Sequence, residues 1–176
     1  MAELTQQERL QPSLLDRLID MAPEEKQESR DQRVLSLRRL REGVLRDLAW
    51  LLNCTNLATV QDLDPYPHAA DSVVNFGTPA LGGLTASNFQ QISGDMERRL
   101  RQVIATFEPR ILKNTLKVRL LIDPDLMAHN AVVFEIEGEL WAQPVSQRIY
   151  LRTEVDLELG SVKVIDANGA NGARGA

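Results

Sequence analysis

Cysteine is nearly missing from this chain: Cys54 stands alone among 176 residues. That scarcity excludes an internal disulfide and any cysteine-based zinc centre. Beside Leu51 and Leu52, Cys54 reads as a small buried apolar residue. Histidine is scarce too. His68 and His129 lie far apart and fit no metal-ligand spacing, so neither metal nor cofactor is expected. No apolar run approaches the ~20 residues of a membrane span. The first twelve residues are polar, carry Glu3, Glu8 and Arg9, and lack the apolar core of a signal peptide. A cytoplasmic location without direct membrane insertion is the expectation. Basic charge is not in excess either: the formal net charge of −5 argues against nucleic acid as the main partner. Arg98, Arg99 and Arg101 cluster locally. No aromatic residue alternates with them, so they read as a solvated helix face.

What is present is a core. Hydrophobic residues make up 43% of the chain, enough for one domain with tails. The sharpest signal is Phe107-Glu108-Pro109-Arg110. Before it, Met96, Leu100, Val103, Ile104 and Phe107 repeat with helical spacing. After it, Leu116, Val118, Leu120 and Ile122 alternate with Thr115, Lys117 and Arg119, the two-residue period of a strand. Pro109 disfavours helix at Glu108, so the helix ends near Phe107 and two opposite charges sit at a corner of the core.

Residues 1–31 read as an N-terminal arm. Within it a mini-helix spans 13–20, with Ser13 and Asp16 in a capping-box arrangement and Leu14, Leu15, Leu18 and Ile19 on one face. Residues 22–32 form a polar linker. The mini-helix is too short to be stable alone; it either folds back or docks in a partner's groove. Residues 32–165 form the main unit. Its first helix, 32–53, carries Val34, Leu37, Leu40, Val44, Leu45, Leu48, Leu51 and Leu52 inward, with Asp31 as N-cap. Arg33, Arg38, Arg39, Glu42, Arg46 and Asp47 form its wet side, and Trp50, off the main stripe, is either a second packing contact or an exposed interface anchor, with the core preferred. Gly43 weakens the helix by roughly 1 kcal/mol relative to alanine. Residues 54–87 are a long connection, with a packed helical turn over Ser72–Gly77. The second main helix starts near Ser87 or Ser93.

The last third reads as an antiparallel meander of three strands, or slightly more, packed on the helices by one face. Strand one covers 114–122. Strand two turns Val132, Phe134, Ile136 and Leu140 inward and Glu135, Glu137 and Glu139 outward. Strand three turns Ile149, Leu151, Thr153, Val155, Leu157 and Leu159 inward. Val162 and Val164 then lead out of the sheet, and 166–176 form a flexible tail. The expected fold is α+β. Its outer sheet face is either a charge-protected soluble surface or an acidic surface or edge that receives a basic or strand-donating partner.

The order of these pieces resembles the TssE family of type VI secretion baseplate subunits, and the wedge proteins of contractile phage tails whose family carries an old lysozyme-like label. The resemblance rests on Ser13–Leu18, Val44–Asn53, Ser72–Gly77, Phe107–Arg110 and Tyr150–Glu158, and spans about residues 13–165. It implies a structural protein without catalytic residues, related to a sheath docking domain that exchanges β-strands. It also implies an assembly role for Glu108, Pro109 and Arg110. The implied partners are wedge subunits of the TssF, TssG and TssK type and the sheath, in a baseplate docked at the inner membrane complex. The old label raises a cell-wall glycosidase as rival. Two facing carboxylates are needed for that chemistry; Glu108 lacks an evident second, and Tyr66, Trp141 and Tyr150 sit in separate segments. A single-partner regulatory adaptor is the other rival.

Overall fold

Leu40, Val44, Leu48, Leu51 and Leu52 recur every three or four residues and are all buried, which makes their segment one amphipathic helix. The structure, a computed structural model, describes residues 13–19, 24, 37–82, 86–121, 130–142 and 146–167. Its helices are α1 (Leu14–Leu18), α2 (Leu37–Leu52), the single turn α3 (Pro67–Ala70) and α4 (Ala86–Phe107). Short 3-10 turns at Leu57–Thr59 and Val73–Asn75 flank α3. The strands are β1 (Lys117–Leu121), β2 (Ala131–Leu140), β3 (Gln147–Asp156) and β4 (Val162–Asp166), antiparallel in the order β1-β2-β3-β4. Asp31, the 22–32 linker other than Glu24, the segment 168–176 and His129 lie outside the described residues.

The architecture is α+β, two main helices on one face of a four-stranded sheet. Met96, Leu100 and Ile104 of α4 join the α2 stripe in one core with Val118, Val132, Phe134, Ile136, Leu140, Ile149, Leu151, Val155 and Val162. Burying one such aliphatic side chain contributes roughly 1.5–3 kcal/mol. α4 lies over β1, and α2 over β4. Thr153, the polar member of the inward row, is 1% exposed and donates its hydroxyl to the Phe134 carbonyl at 3.1 Å. At the far end of β4, Asp166 accepts from Arg41 Nε at 2.5 Å and Nη2 at 2.6 Å. This two-pronged ion pair fixes α2 along the sheet.

Several expectations need correction. Val162 and Val164 do not leave the sheet; they belong to β4, which pairs with β3 and includes Asp166. With only two inward valines in five residues, the alternation is too short to stand out. Leu159 is exposed rather than inward, because β3 ends at Asp156, whose carboxylate accepts from the Glu158 and Leu159 N–H groups and turns the chain. Trp50 is 51% exposed; it lies off the α2 stripe, with the Arg46 guanidinium 5.2 Å from its ring centroid. Cys54 is exposed, since α2 stops at Leu52 and the chain turns. Over Ser72–Gly77 the turn exists, but Val73 and Val74 point outward. Strand one starts at Lys117, not 114.

Gly94 does not interrupt α4. A methyl group there would meet nothing within 4 Å. Gly94→Ala is therefore expected to stabilise the protein by about 1 kcal/mol, the difference in helix propensity, read as a melting point roughly 2–4 °C higher.

Candidate functional site

Pro109 stops α4, and the chain turns the corner with Glu108 inside it. The Glu108 N–H still closes the last helical bond to Ile104, while its side chain is 3% exposed. A carboxylate so buried requires partners. Arg110 supplies them: Nε to Oε1 at 2.7 Å, Nη2 to Oε2 at 2.5 Å, and its own N–H to Oε1 at 3.2 Å. Trp141 N–H in turn donates to the Arg110 carbonyl at 2.7 Å. The corner is thus bound to the end of β2.

Arg110 reaches further. Its Nη2 also donates to Asp47 Oδ2 at 2.6 Å. Asp47 Oδ1 accepts from Arg46 Nε at 2.8 Å, and Arg46 Nη1 donates to Asp16 Oδ1 of α1 at 2.6 Å. Ser13 completes the chain as the N-cap of α1, donating to Asp16 Oδ2 at 2.6 Å. Asp16, Arg46, Asp47, Arg110 and Glu108 form one continuous ion chain across three separate segments. Gly43 makes room for it, since its α-carbon faces Asp16 Oδ2 and Arg110 Nη1; an added β-carbon would stand 3.4 and 3.5 Å from them.

The charges respond accordingly. Burial alone would lower the Arg110 value, but Glu108 and Asp47 outweigh it and raise it. Hydrogen bonds to Asp47 and Asp16 raise that of Arg46. Burial pushes the Asp16 carboxyl up, yet the bonds from Arg46 and Ser13 and the nearby arginine charges prevail and hold it below its ordinary value of 3.8. Arg46 and Asp47, expected on the wet side of α2, are instead half-buried links. Their partners lie 30 and 63 residues away, which helical spacing does not reveal.

The same links hold α1 to the body by its polar side. Its apolar side chains point away: Leu14 is 71% exposed, Leu18 74%, and Leu15 and Ile19 are also exposed. Of the two alternatives, the helix folds back onto the body, but by its polar side: α1 is clipped on, with its leucines unburied. The Asp16→Ala variant should free α1. Amides of residues 14–19 are expected to exchange at near-unfolded rates, while α2 stays protected, since a five-residue helix has no stability of its own. Acid should act likewise. Because the folded value is depressed, the contribution of Asp16 is complete above its ordinary value of 3.8 and is lost as pH falls through the lower folded value.

On the outer sheet face the register opposes Lys117 to Glu137, Arg119 and Arg152 to Glu135, Arg148 to Glu139 and Lys163 to Glu154. Tyr150 donates to Glu135, a bond that raises the tyrosine value. Glu135, Glu137, Glu139 and Glu154 thus each face a base, while Asp156 faces Ala131. The face is a balanced lattice of charge rather than the acidic surface its glutamates suggest.

The sheet edges differ from each other. The Leu120 N–H of β1 donates to Glu97 of α4 at 2.7 Å, which occupies one rung of that edge. On β4, bonds from Asp156 N–H to Ser161 and from Ala167 N–H to Tyr150 set the alternation so that Val162 and Val164 turn their main-chain groups outward. Asn53 covers the first of these. Its amide donates to the Val162 carbonyl at 2.7 Å and accepts from the Val162 N–H at 2.9 Å. Among the described residues nothing covers Val164.

No group of residues able to hold a metal ion occurs among the described residues, and none of their helices is long and apolar enough to cross a membrane. A family model described as baseplate wedge protein gp25 matches residues 38–145, more than half of the chain. The search of curated proteins finds no match.

Proposed function

Because the chain belongs to the baseplate wedge protein gp25 family, a structural and non-enzymatic family whose members bind other baseplate and tail proteins, we propose that it is a type VI secretion wedge subunit that seats the first ring of the contractile sheath. In this reading it binds wedge subunits of the TssF, TssG and TssK type through Leu14, Leu15, Leu18 and Ile19 of the arm. Glu108, Pro109 and Arg110 hold the angle between helices and sheet on which those contacts depend. The assembly works in the cytoplasm, in a baseplate docked at the inner membrane complex.

The observation that carries the reading is the β4 edge. One rung is already occupied by Asn53, and the next, at Val164, offers an N–H and a C=O in strand geometry for a sheath strand to extend. Proline on an edge strand removes an outward N–H without breaking the ladder on the other side. Val164→Pro is therefore expected to leave the fold and the wedge contacts intact while abolishing sheath growth on reconstituted baseplates. Normal sheath growth on that variant would refute the β4 assignment. Co-purification of one small partner alone, with no baseplate or sheath subunit, would favour the single-partner adaptor.

A further inference from the structure

Between Arg46 and Arg98 the sequence contains no lysine or arginine, whereas Asp62, Asp64 and Asp71 all fall in that stretch and all are exposed. This stretch includes a loop, 54–78, whose organisation is inside out. At its neck Thr55 and Thr78 form a bridge, with Asn56 N–H donating to Thr78 at 2.9 Å and Thr78 N–H to Cys54 at 2.8 Å. Within it, Asn75 accepts from Ala58 N–H and donates to the Ala70 carbonyl, both at 2.9 Å. Asn56 accepts from the Thr59 hydroxyl at 2.8 Å. These polar groups fix the loop from within, and Leu63 and Phe76 anchor it, the first buried and the second edge-on to Phe107, while four other apolar side chains face water. Val60 is 81% exposed, Val73 80%, Val74 63% and Tyr66 61%. Single exposed apolar residues are ordinary; a group of them on one internally braced loop marks an interaction surface.

We propose that this loop is a preformed docking surface for a cationic amphipathic segment of a partner protein. The partner's apolar side chains lie on Val60, Tyr66, Val73 and Val74, and its lysines or arginines reach Asp62, Asp64 and Asp71. The charge decides the class of occupant. With three carboxylates, no lysine or arginine, and His68 as the loop's one imidazole, an acidic segment or an anionic bilayer is repelled. The main-chain bonds already in place mean that binding costs little ordering. The surface shares none of its residues with α1, the β4 edge or Glu108, so it holds whether or not the sheath reading does.

The test uses the full chain, isotope-labelled, titrated with a synthetic leucine-lysine amphipathic peptide. Leucine-glutamate and serine-lysine peptides serve as controls. Amide shifts are expected within residues 57–76 for the leucine-lysine peptide alone, weakening as salt is raised. Val73→Ser with Val74→Ser, and separately Asp62→Asn with Asp64→Asn and Asp71→Asn, should each weaken binding about tenfold or more at unchanged melting temperature. Shifts centred on α1 or Trp50, equal affinity in the variants, binding of the glutamate peptide, or no binding would each overturn the proposal. So would equal shifts with zwitterionic vesicles, which would make the surface a lipid site.

Discussion

Arg110→Ala is expected to destabilise the protein by about 3–5 kcal/mol, the cost of leaving a buried charge without its partner, and to lower the melting temperature by roughly 10 °C. The reason lies in the unequal burial of the pair. Glu108 is 2% exposed and takes two of its three hydrogen bonds from the Arg110 side chain. Removing the arginine strands a carboxylate inside the core. Glu108→Ala should cost less, because the Arg110 side chain is 23% exposed and keeps Asp47. Arg110→Lys should not restore stability: an ammonium has no planar fork with which to hold both Glu108 oxygens and Asp47 together. Chemical denaturation of the three variants measures the order directly. Arg110→Ala milder than Glu108→Ala would mean that Glu108 finds other partners when the arginine is gone.

Gly77→Ala is the second large effect. Gly77 has φ +129°, a conformation that residues with side chains rarely adopt, and an added β-carbon would stand 2.5 Å from the Cys54 carbonyl and 2.9 Å from Asn56 N. Both atoms belong to the neck of the loop and both are main chain, so neither can swing aside. Backbone strain of this kind costs about 1–3 kcal/mol, and the clash adds to it; about 3 kcal/mol in all is expected. The damage should be local as well as global. Limited proteolysis should cut within residues 57–76 in the variant and spare the parent, because the neck bonds hold the loop shut. An unchanged melting temperature and digestion pattern would show that the neck relaxes without loss.

Much of this fold is legible in the residues. Leu40 to Leu52 and Met96 to Phe107 carry helical spacing long enough to be unmistakable, Pro109 marks where it ends, and Ile136 or Leu151 alternates with charged neighbours as a strand must. The α+β class follows from helices preceding a run of strands. What stayed hidden was whatever depends on distant partners. Arg46 and Asp47 look like any wet pair on a helix until Asp16 and Arg110 are brought beside them. Trp50 looks apolar enough for the core, but its position on the helix turns it out beneath Arg46. Asn53 reads as a helix terminator, which it is, and nothing local shows that its amide meets Val162. For the site, Glu108 and Arg110 were visible as a charged corner, while the acidic, outward-facing loop showed only as a long connection with a packed turn.

Asn53 has one more consequence. The residue just after α2 copies the main-chain pattern of a neighbouring strand for a single rung, and in the proposed pairing it would set the phase of the strand that lies down after it. Side chains along a strand alternate strictly, so an incoming segment displaced by one position would present its opposite set of side chains to the core. On the proposed strand addition, the asparagine would work as an index mark, admitting a newcomer in one frame and leaving the others without a place to begin.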